Sequence, residues 1–229
     1  MLKIIKTKGH KDSDLFTKAI QRKAKELDYM CEVIEVEPDI PSIDYCKLCE
    51  KNNYSPDIVL PLLPLPENVS TSRLRDTLEF CNIDSIGIEL KRTPITPAAI
   101  VHKLIELEQE NHIFHINKCR VVILNRTKRI GIPLALDLIA LGATVTVCHS
   151  QTQDLAEIVK AADIVITATG KSDIISADMI MPNQLWIDCS GDVNDECKQK
   201  LEADSYFSMR DVGSWTLKEL FMRYRNYTP

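Results

Sequence analysis

The sequence predicts an α/β protein of two lobes, with a Rossmann-like parallel sheet in the C-terminal lobe and a smaller α/β lobe before it. Short apolar, β-branched runs recur along the 229 residues, and segments with helical periodicity separate them. This alternation is typical of parallel strands covered by helices. Polar residues interrupt the apolar pattern at 111–117, which places the break between the lobes there. We therefore expect one lobe at 1–112, completed by a final helix at 214–229, and a second lobe at 113–213.

The candidate strands are the short apolar runs themselves. They are predicted at Leu2–Lys6, Cys31–Val36, Ile58–Leu60, Arg120–Leu124, Thr144–Cys148, Ile164–Thr167 and Leu185–Asp188.

Helices are predicted between these strands from capping residues and prolines. Asp12 or Ser13 is expected to cap a helix that runs to about Leu27. A second helix begins at 70–72 and ends near Phe80, and a third begins at Thr96-Pro97, where a capping residue precedes proline.

A proline cluster, LPLLPLP at 60–66, follows the third strand. Proline cannot continue a helix or a central strand, so the cluster predicts a rigid turn at the carboxyl end of that strand. In an open α/β sheet, ligands bind at this edge.

Composition and charge exclude several classes of partner. The net charge is −5 and basic residues form no run, which argues against binding to nucleic acid or to an acidic membrane surface and leaves small molecules as the expected ligands. The sequence has no apolar segment of transmembrane length and no signal-peptide pattern, so a cytoplasmic location is predicted. The eight cysteines are then expected to be reduced thiols.

One cysteine pair has the spacing of a metal or redox site. Cys46 and Cys49 stand in CKLC, but a structural zinc site needs four ligands and no second pair completes it. The five histidines are also scattered without ligand spacing. We therefore predict no metal site, and reduced thiols are the preferred interpretation of the pair.

The segment at 119–150 has the order strand, turn, helix, strand. The N-terminus of the helix in such a unit offers backbone N–H groups to a phosphate, which predicts a nucleotide-binding lobe. Gly131 would let the helix and the turn approach closely, and Pro133 suits the first helical turn. Asn125 stands where a dinucleotide loop has its first glycine, and asparagine tolerates a left-handed backbone.

The end of the second strand of this unit predicts the choice of cofactor. NAD-binding domains place a carboxylate there, whereas this chain has His149 and Ser150. With Arg126 in the preceding turn, a 2′-phosphate would meet a guanidinium and a hydroxyl, which favours NADP over NAD. The alternative is that Arg126 is a solvated surface charge and that His149 and Ser150 belong to an ordinary loop.

Four segments, NRTKRIGIP, ATVTVCHSQT, ADIVITATGK and LWIDCSGDV, resemble in order and spacing the cofactor domain of the methylenetetrahydrofolate dehydrogenase/cyclohydrolase family. Upstream, LLPLP, TPITP and DSDLFTKAIQRKA resemble that family's substrate loop, pre-helix prolines and catalytic helix. The chain is similar to a shortened and divergent member, in which an opening helix and an insertion between Asp84 and Pro94 are missing. The resemblance implies a homodimer. The expected cofactor-binding residues are Asn125, Arg126, Thr127, Gly131, His149, Ser150, Thr169 and Gly170.

Members of the family oxidise methylenetetrahydrofolate with NADP or NAD and then hydrolyse the methenyl product. The hydrolysis uses a lysine assisted by a tyrosine and a glutamine. The resemblance places Ile20 at the lysine position, Phe16 at the tyrosine position and Leu62 at the glutamine position, so no confident catalytic residue remains. Lys23 and Lys18 are alternative bases, although a solvated lysine is the more ordinary interpretation of each.

Other positions that correspond to the family's substrate-binding residues are also altered. Asp84 matches an aspartate that the family uses to hold the pterin, and Ser85 replaces the glycine beside it. The segment at 211–216 resembles a glycine-rich substrate loop that has lost most of its glycine and proline. Asp84 and Leu62 are therefore the predicted substrate-side residues, for a ligand that is a reduced folate or a related small molecule.

Two functions fit these features. The first is an NADP-dependent dehydrogenase that acts on methylenetetrahydrofolate or a related small molecule and has lost the cyclohydrolase activity, because hydride transfer depends mainly on positioning. The second is a non-catalytic nucleotide-binding sensor or partner protein derived from such an enzyme. A third, that the fold is only a scaffold, fits less well because a cofactor-compatible turn is not required for folding.

Overall fold

The computed structural model describes residues 1–52, 57–78, 82–87, 92–111, 114–172 and 174–227. The chain forms two compact units. The N-terminal unit comprises Met1–Ile95 with Leu217–Pro229, and the C-terminal unit comprises Thr96–Thr216. Each has its own parallel sheet, which confirms the predicted α/β class.

The N-terminal unit is built on a three-stranded parallel sheet in the order β2-β1-β3. Side chains alternate between the two faces of β1, so Leu2 and Ile4 pack in one apolar cluster and Ile5 packs in another. The elements are β1 (Leu2–Thr7), α1 (Lys11–Glu26), β2 (Cys31–Val36), α2 (Ser42–Asn52), β3 (Ile58–Pro61) and α3 (Thr71–Thr77).

The C-terminal unit is built on a five-stranded parallel sheet in the order β5-β4-β6-β7-β8. Because β5 and β6 lie on opposite sides of β4, the strand order reverses there and opens a crevice at the carboxyl ends of β4 and β6. The elements are α4 (Ile95–Asn111), β4 (Arg120–Leu124), α5 (Gly131–Ala140), β5 (Thr144–Cys148), α6 (Leu155–Lys160), β6 (Ile164–Thr167), β7 (Leu185–Asp188), α7 (Asp195–Lys198), β8 (Tyr206–Phe207) and the start of α8 (Met209–Tyr227).

Both faces of this sheet are covered. Val121 and Ile123 of β4 pack in the cluster that contains buried residues of α4 and α5. Val122 and Leu124 point to the other face and pack in the cluster that contains Val159 of α6 and Cys197 of α7. Burial on both faces explains why β4 and β6 are nearly continuous apolar runs in the sequence.

All seven predicted strands are present, five of them with the predicted bounds, whereas α2, α6, α7 and the two-residue β8 were not individually predicted. The capping prediction for α1 is wrong. The helix begins after His10, and Ser13 Oγ donates a hydrogen bond back to the His10 carbonyl oxygen at 2.9 Å. The helix that was expected to end near Phe80 ends at Thr77. Phe80 itself lies outside the described residues.

The boundary between the units differs from the expected break near 112. It lies at 95/96, because Ile100, Val101 and Leu104 of α4 pack into the core of the C-terminal unit. The end of the chain, from Leu217, belongs to the N-terminal unit, and this boundary at 216/217 falls within α8.

The start of α8 also differs from the prediction. The helix begins at Met209 instead of 214, so the segment at 211–216 is helical and not a loop. Asp211 Oδ2 accepts hydrogen bonds from Ser208 N at 2.8 Å and Ser208 Oγ at 2.6 Å, which stabilises the first turn. The segment keeps Gly213 but has no proline, and the helix continues through it. No helix in the described ranges is long and apolar enough to cross a membrane.

Candidate functional site

The turn between β4 and α5 is organised by the side chain of Asn125. Its Oδ1 accepts hydrogen bonds from Thr127 N at 2.8 Å, Thr127 Oγ1 at 2.7 Å and Gly131 N at 3.1 Å. The backbone N–H of Ile130 donates to Thr127 Oγ1 at 3.2 Å. Several backbone donors at the start of α5 are therefore satisfied from within the turn.

We expected Asn125 to suit this turn because asparagine tolerates a left-handed backbone, and that reason is wrong. The non-glycine residues with positive φ in the described chain are Asp28, Ser85, Asp154 and Asn183. Asn125 is not among them, so its contribution comes from the carboxamide and not from a left-handed conformation.

Gly131 allows α5 to approach this turn closely, as predicted. A Cβ placed on Gly131 would lie 1.7 Å from the Asn125 carbonyl oxygen, which no side chain tolerates. Pro133 is buried in the first turn of α5, where its missing N–H costs little.

Asn125 also connects the two central strands of the sheet. Its Nδ2 donates a 2.6 Å hydrogen bond to the carbonyl oxygen of Ala168, which directly follows β6. Asn125 and Ala168 follow the paired residues Leu124 and Thr167, so the bond spans the crevice where the strand order reverses.

A cavity of about 470 Å³ opens at this edge of the sheet. Its size lies in the range of small-molecule sites. It is lined by Leu124, Asn125, Arg126, Cys148, His149, Ser150, Thr152, Leu155, Ala168, Thr169, Lys171 and Ile174.

The cavity brings together five of the eight predicted cofactor residues, namely Asn125, Arg126, His149, Ser150 and Thr169. The other three are not among the lining residues. Thr127 and Gly131 belong to the hydrogen-bonded turn, and Gly170 N donates to Ser190 Oγ at 3.1 Å.

The orientation of His149 is fixed by its own loop. Its Nδ1 accepts a hydrogen bond from Gln151 N at 3.2 Å, and its backbone N–H donates to Thr152 Oγ1 at 2.9 Å. The imidazole is thereby held with Nδ1 as the acceptor, which leaves Nε2 as the donor of the neutral ring.

Lys171 is a cavity residue that the sequence analysis missed. It is exposed, lines the cavity, and follows the ATG turn after β6. Its place at the carboxyl end of a central strand was the available signal, because such ends meet at the ligand-binding edge. With Arg126, it gives the cavity two cationic side chains.

Asp192 is a second residue that the sequence analysis missed. Its side chain is fully buried and accepts hydrogen bonds from Thr169 N at 2.7 Å, Lys171 N at 3.0 Å, Ser190 Oγ at 2.9 Å and the Thr167 hydroxyl. Burial alone would raise the pKa of Asp192, but the hydrogen bonds from Thr167, Thr169 and Ser190 outweigh it and hold the pKa below its usual value.

Asp188 anchors the next turn in the same way. Its Oδ1 accepts from the backbone N–H groups of Gly191 and Asp192 at 2.8 and 2.9 Å, and its Oδ2 accepts from Val193 N and Tyr206 Oη, both at 3.1 Å. The turn that presents Asp192 is therefore fixed to the end of β7.

These residues fit a phosphorylated nucleotide. Arg126 and Lys171 supply positive charge, Ser150 supplies a hydroxyl, and the lining residues at 124–171 contain no carboxylate to repel a 2′-phosphate. Leu155 and Ile174 supply apolar surface on which an adenine ring could rest.

The three positions that the family resemblance assigns to acid–base residues, Phe16, Ile20 and Leu62, lie in or against an apolar cluster of the N-terminal unit. Ile20 is fully buried and Leu62 is 6% exposed, and both belong to the cluster that includes Ile83. Phe16 packs against the same cluster. The Lys23 amine forms an ion pair with Glu26 on the surface of α1, where its Nζ lies 3.0 Å from Glu26 Oε2. It therefore does not point into this cluster.

Asp84 is half-buried, and its Oδ1 accepts a hydrogen bond from Ile95 N at 2.9 Å at the start of α4. The neighbouring Ser85 has φ 57° and is fully buried. This is the left-handed region that favours glycine, which explains why a glycine suits this position.

Cys46 and Cys49 lie on α2. Cys49 is buried in an apolar cluster, and burial, with smaller effects from Cys46 and Glu50, raises the pKa of its thiol to about 12. A thiolate is therefore disfavoured at this position. Within the described ranges, no three side chains of His, Cys, Asp and Glu come together in a way that could hold a metal ion.

A family model and the sequences of known relatives agree on one family. Residues 94–215 match the model of the tetrahydrofolate dehydrogenase/cyclohydrolase NAD(P)-binding domain. The bifunctional protein FolD of Clostridium botulinum (strain Okra / Type B1) is 30% identical over 226 residues, which cover 91% of this chain and 77% of that protein.

Two solved structures show the same fold. The FolD methylenetetrahydrofolate dehydrogenase/cyclohydrolase of Campylobacter jejuni superposes with a TM-score of 0.80 at 22% identity, over 98% of this chain and 88% of that chain. The Trypanosoma brucei enzyme, solved with NADP cofactor and inhibitor, gives a TM-score of 0.78 at 22% identity, over 98% of this chain and 86% of that chain.

Proposed function

Because this chain belongs to the tetrahydrofolate dehydrogenase/cyclohydrolase family and carries its NAD(P)-binding domain, we propose that it binds NADP in the cavity of the C-terminal unit. The observation that carries this proposal is the joint presence of Arg126, Ser150 and Lys171 around one cavity. A 2′-phosphate is a dianion that guanidinium and ammonium groups bind well, so NADP is preferred over NAD.

The proposed activity is the oxidation of methylenetetrahydrofolate or a related small molecule. When bound, NADP supplies the hydride acceptor, and the protein has to hold the two reactants in the right geometry. Asp84 supports this proposal as the matching substrate-side carboxylate, held in place by the backbone N–H of Ile95.

We propose that the cyclohydrolase activity is lost. Hydrolysis of a methenyl bridge needs a group that moves protons, and a buried Ile20, a buried Leu62 and the ring of Phe16 have none. The apolar cluster around these residues also excludes water from the place where the family performs that chemistry.

A non-catalytic nucleotide-binding sensor or partner protein is the second candidate. The simultaneous replacement of all three acid–base positions by apolar side chains favours it.

One experiment separates the two candidates. Purified protein is titrated with NADP and with NAD, and is then assayed for reduction of NADP in the presence of methylenetetrahydrofolate. NADP binding with turnover supports the dehydrogenase. NADP binding without turnover supports the sensor, and the absence of any nucleotide binding contradicts both. Hydrolysis of methenyltetrahydrofolate in a parallel assay would show that the cyclohydrolase activity is retained.

We also propose that the protein is a homodimer. The support is an apolar surface in the C-terminal unit, where Leu136, Ile139 and Leu141 are 48%, 54% and 38% exposed on or just after α5, next to the edge strand β5. Light scattering after gel filtration is expected to give the mass of a dimer for the wild type and of a monomer for Ile139→Lys. Met181→Lys, at an exposed residue outside this surface, is the matched control and should stay dimeric.

A further inference from the structure

The carboxamide of Asn125 occupies the position where a dinucleotide loop would receive a phosphate. The start of a helix binds a phosphate because its first backbone N–H groups have no partner in the helix. Here the N–H groups of Thr127 and Gly131 already donate to Asn125 Oδ1, at 2.8 and 3.1 Å. The Ile130 N–H donates to Thr127 Oγ1, whose hydroxyl in turn donates to the same Oδ1.

The carboxamide is held in this position from its other end. Asn125 Nδ2 donates to the Ala168 carbonyl oxygen at 2.6 Å, so the side chain spans the crevice between β4 and β6. A ligand phosphate could reach the N–H groups only by displacing Oδ1, and the displaced carboxamide would also lose its bond to Ala168. Part of the binding free energy would be consumed by that exchange.

In the turn after β6, backbone N–H groups also donate to side chains of the protein itself. The Asp192 carboxylate accepts from the N–H groups of Thr169 and Lys171, at 2.7 and 3.0 Å, and Ser190 Oγ accepts from Gly170 N at 3.1 Å. In both turns at the edge of the crevice, side-chain oxygens of the protein therefore already accept hydrogen bonds from backbone N–H groups that a phosphate would use. Arg126 and Lys171 belong to these turns through their backbone, and both residues line the cavity and give it cationic side chains.

From this geometry we infer that Asn125 is a specificity-determining residue that fills the diphosphate position. The 5′-phosphates of a bound nucleotide gain little affinity from the turn before α5, and recognition depends on the adenosine and its 2′-phosphate. This inference rests on the proposed function, because it concerns nucleotide binding in the same cavity.

The test measures what a 5′-phosphate contributes to affinity. Dissociation constants of 2′-AMP and 2′,5′-ADP are determined by calorimetry for the wild type, for Asn125→Gly and for Asn194→Gly. Asn194 is the matched control, because its Oδ1 also accepts a backbone N–H, from Cys197 at 2.9 Å, and it does not line the cavity. Thermal unfolding of each variant shows that it is folded.

We expect the 5′-phosphate to tighten binding by less than about threefold in the wild type and in Asn194→Gly, and by about tenfold or more in Asn125→Gly, where charged hydrogen bonds to the N–H groups become available. A tenfold gain already present in the wild type would overturn the inference, and so would the same small gain in Asn125→Gly.

The outcomes also separate this inference from the proposed function. If the wild type binds neither ligand and Asn125→Gly binds 2′,5′-ADP, the inference stands and nucleotide binding by the natural chain fails. If no variant binds either ligand, both are overturned.

Discussion

Gly131 N donates a 3.1 Å hydrogen bond to Asn125 Oδ1, and the space between the two residues is so small that a Cβ on Gly131 would lie 1.7 Å from the Asn125 carbonyl oxygen. The close approach of α5 to the end of β4 therefore depends on a glycine at one position and on a hydrogen-bonding side chain at the other. This pair fixes the turn that forms one wall of the cavity.

Gly131→Ala is expected to lower the free energy of unfolding by about 3 kcal/mol or more, because the turn has to move to admit the methyl group. Gly213→Ala is the matched control. A Cβ at Gly213, inside α8, would meet no atom within 4 Å, so this change should stabilise the protein by about 0.5 to 1 kcal/mol. Urea unfolding measures both, and similar values for the two variants would contradict this account of the turn.

Asp192→Asn is expected to lower the free energy of unfolding by about 2 kcal/mol at neutral pH, because an amide cannot accept all the hydrogen bonds that the buried carboxylate accepts. The pKa of Asp192 is held below its usual value in the folded protein. Its stabilising effect is therefore complete above the unfolded pKa of about 3.9 and is lost as the pH falls through the lower folded value.

Urea unfolding at several pH values tests this. The difference between wild type and Asp192→Asn should be constant from neutral pH to about pH 5 and should shrink on further acidification. Asp195→Asn, in which the replaced side chain is 94% exposed, should match the wild type throughout. A difference for Asp192→Asn that grows as the pH falls would have the opposite sign and would contradict the hydrogen-bonding scheme.

Ile20→Lys, which restores the family's lysine, is expected to destabilise the N-terminal unit by about 3 kcal/mol or more and to produce no cyclohydrolase activity. The reason is that Ile20 is fully buried in the apolar cluster with Leu62 and Ile83. Thermal unfolding and an assay with methenyltetrahydrofolate provide the two readouts. Lys23→Ala, on the exposed side of α1, should change neither the stability nor the hydrolysis. A stable Ile20→Lys protein that hydrolyses methenyltetrahydrofolate would show that the apolar cluster does not prevent this reaction.

Strands β3 and β6 were predictable because they are buried on both faces, so each apolar run is itself the strand, as in Ile164–Thr167. The edge strands β2 and β5 are partly exposed and were predictable from their β-branched residues. The two-residue β8 is too short to leave a pattern. The boundary between the units was not predictable, because the polar residues at 111–117 look like a linker, whereas the packing of Ile100 and Leu104 places α4 in the C-terminal unit.

The site was predictable only where it follows a strand end. Arg126, His149 and Ser150 were found in this way, and they do line one cavity. The role of the Asn125 carboxamide depends on its hydrogen bond to Ala168, which lies 43 residues away, and Asp192 acts on a loop 21 to 23 residues away. Sequence spacing carries no information about such contacts.

The substitution Arg126→Ala tests whether the cavity of the C-terminal unit binds NADP through its 2′-phosphate. Calorimetric titrations with NADP and NAD are compared for the wild type, Arg126→Ala and Lys128→Ala, the last being an exposed cation of the same turn that does not line the cavity. We expect Arg126→Ala to weaken NADP binding by about tenfold or more and to leave NAD binding nearly unchanged, and we expect Lys128→Ala to bind both nucleotides nearly as the wild type does. Equal weakening of NADP and NAD by Arg126→Ala, or no weakening of either, would contradict binding through the 2′-phosphate.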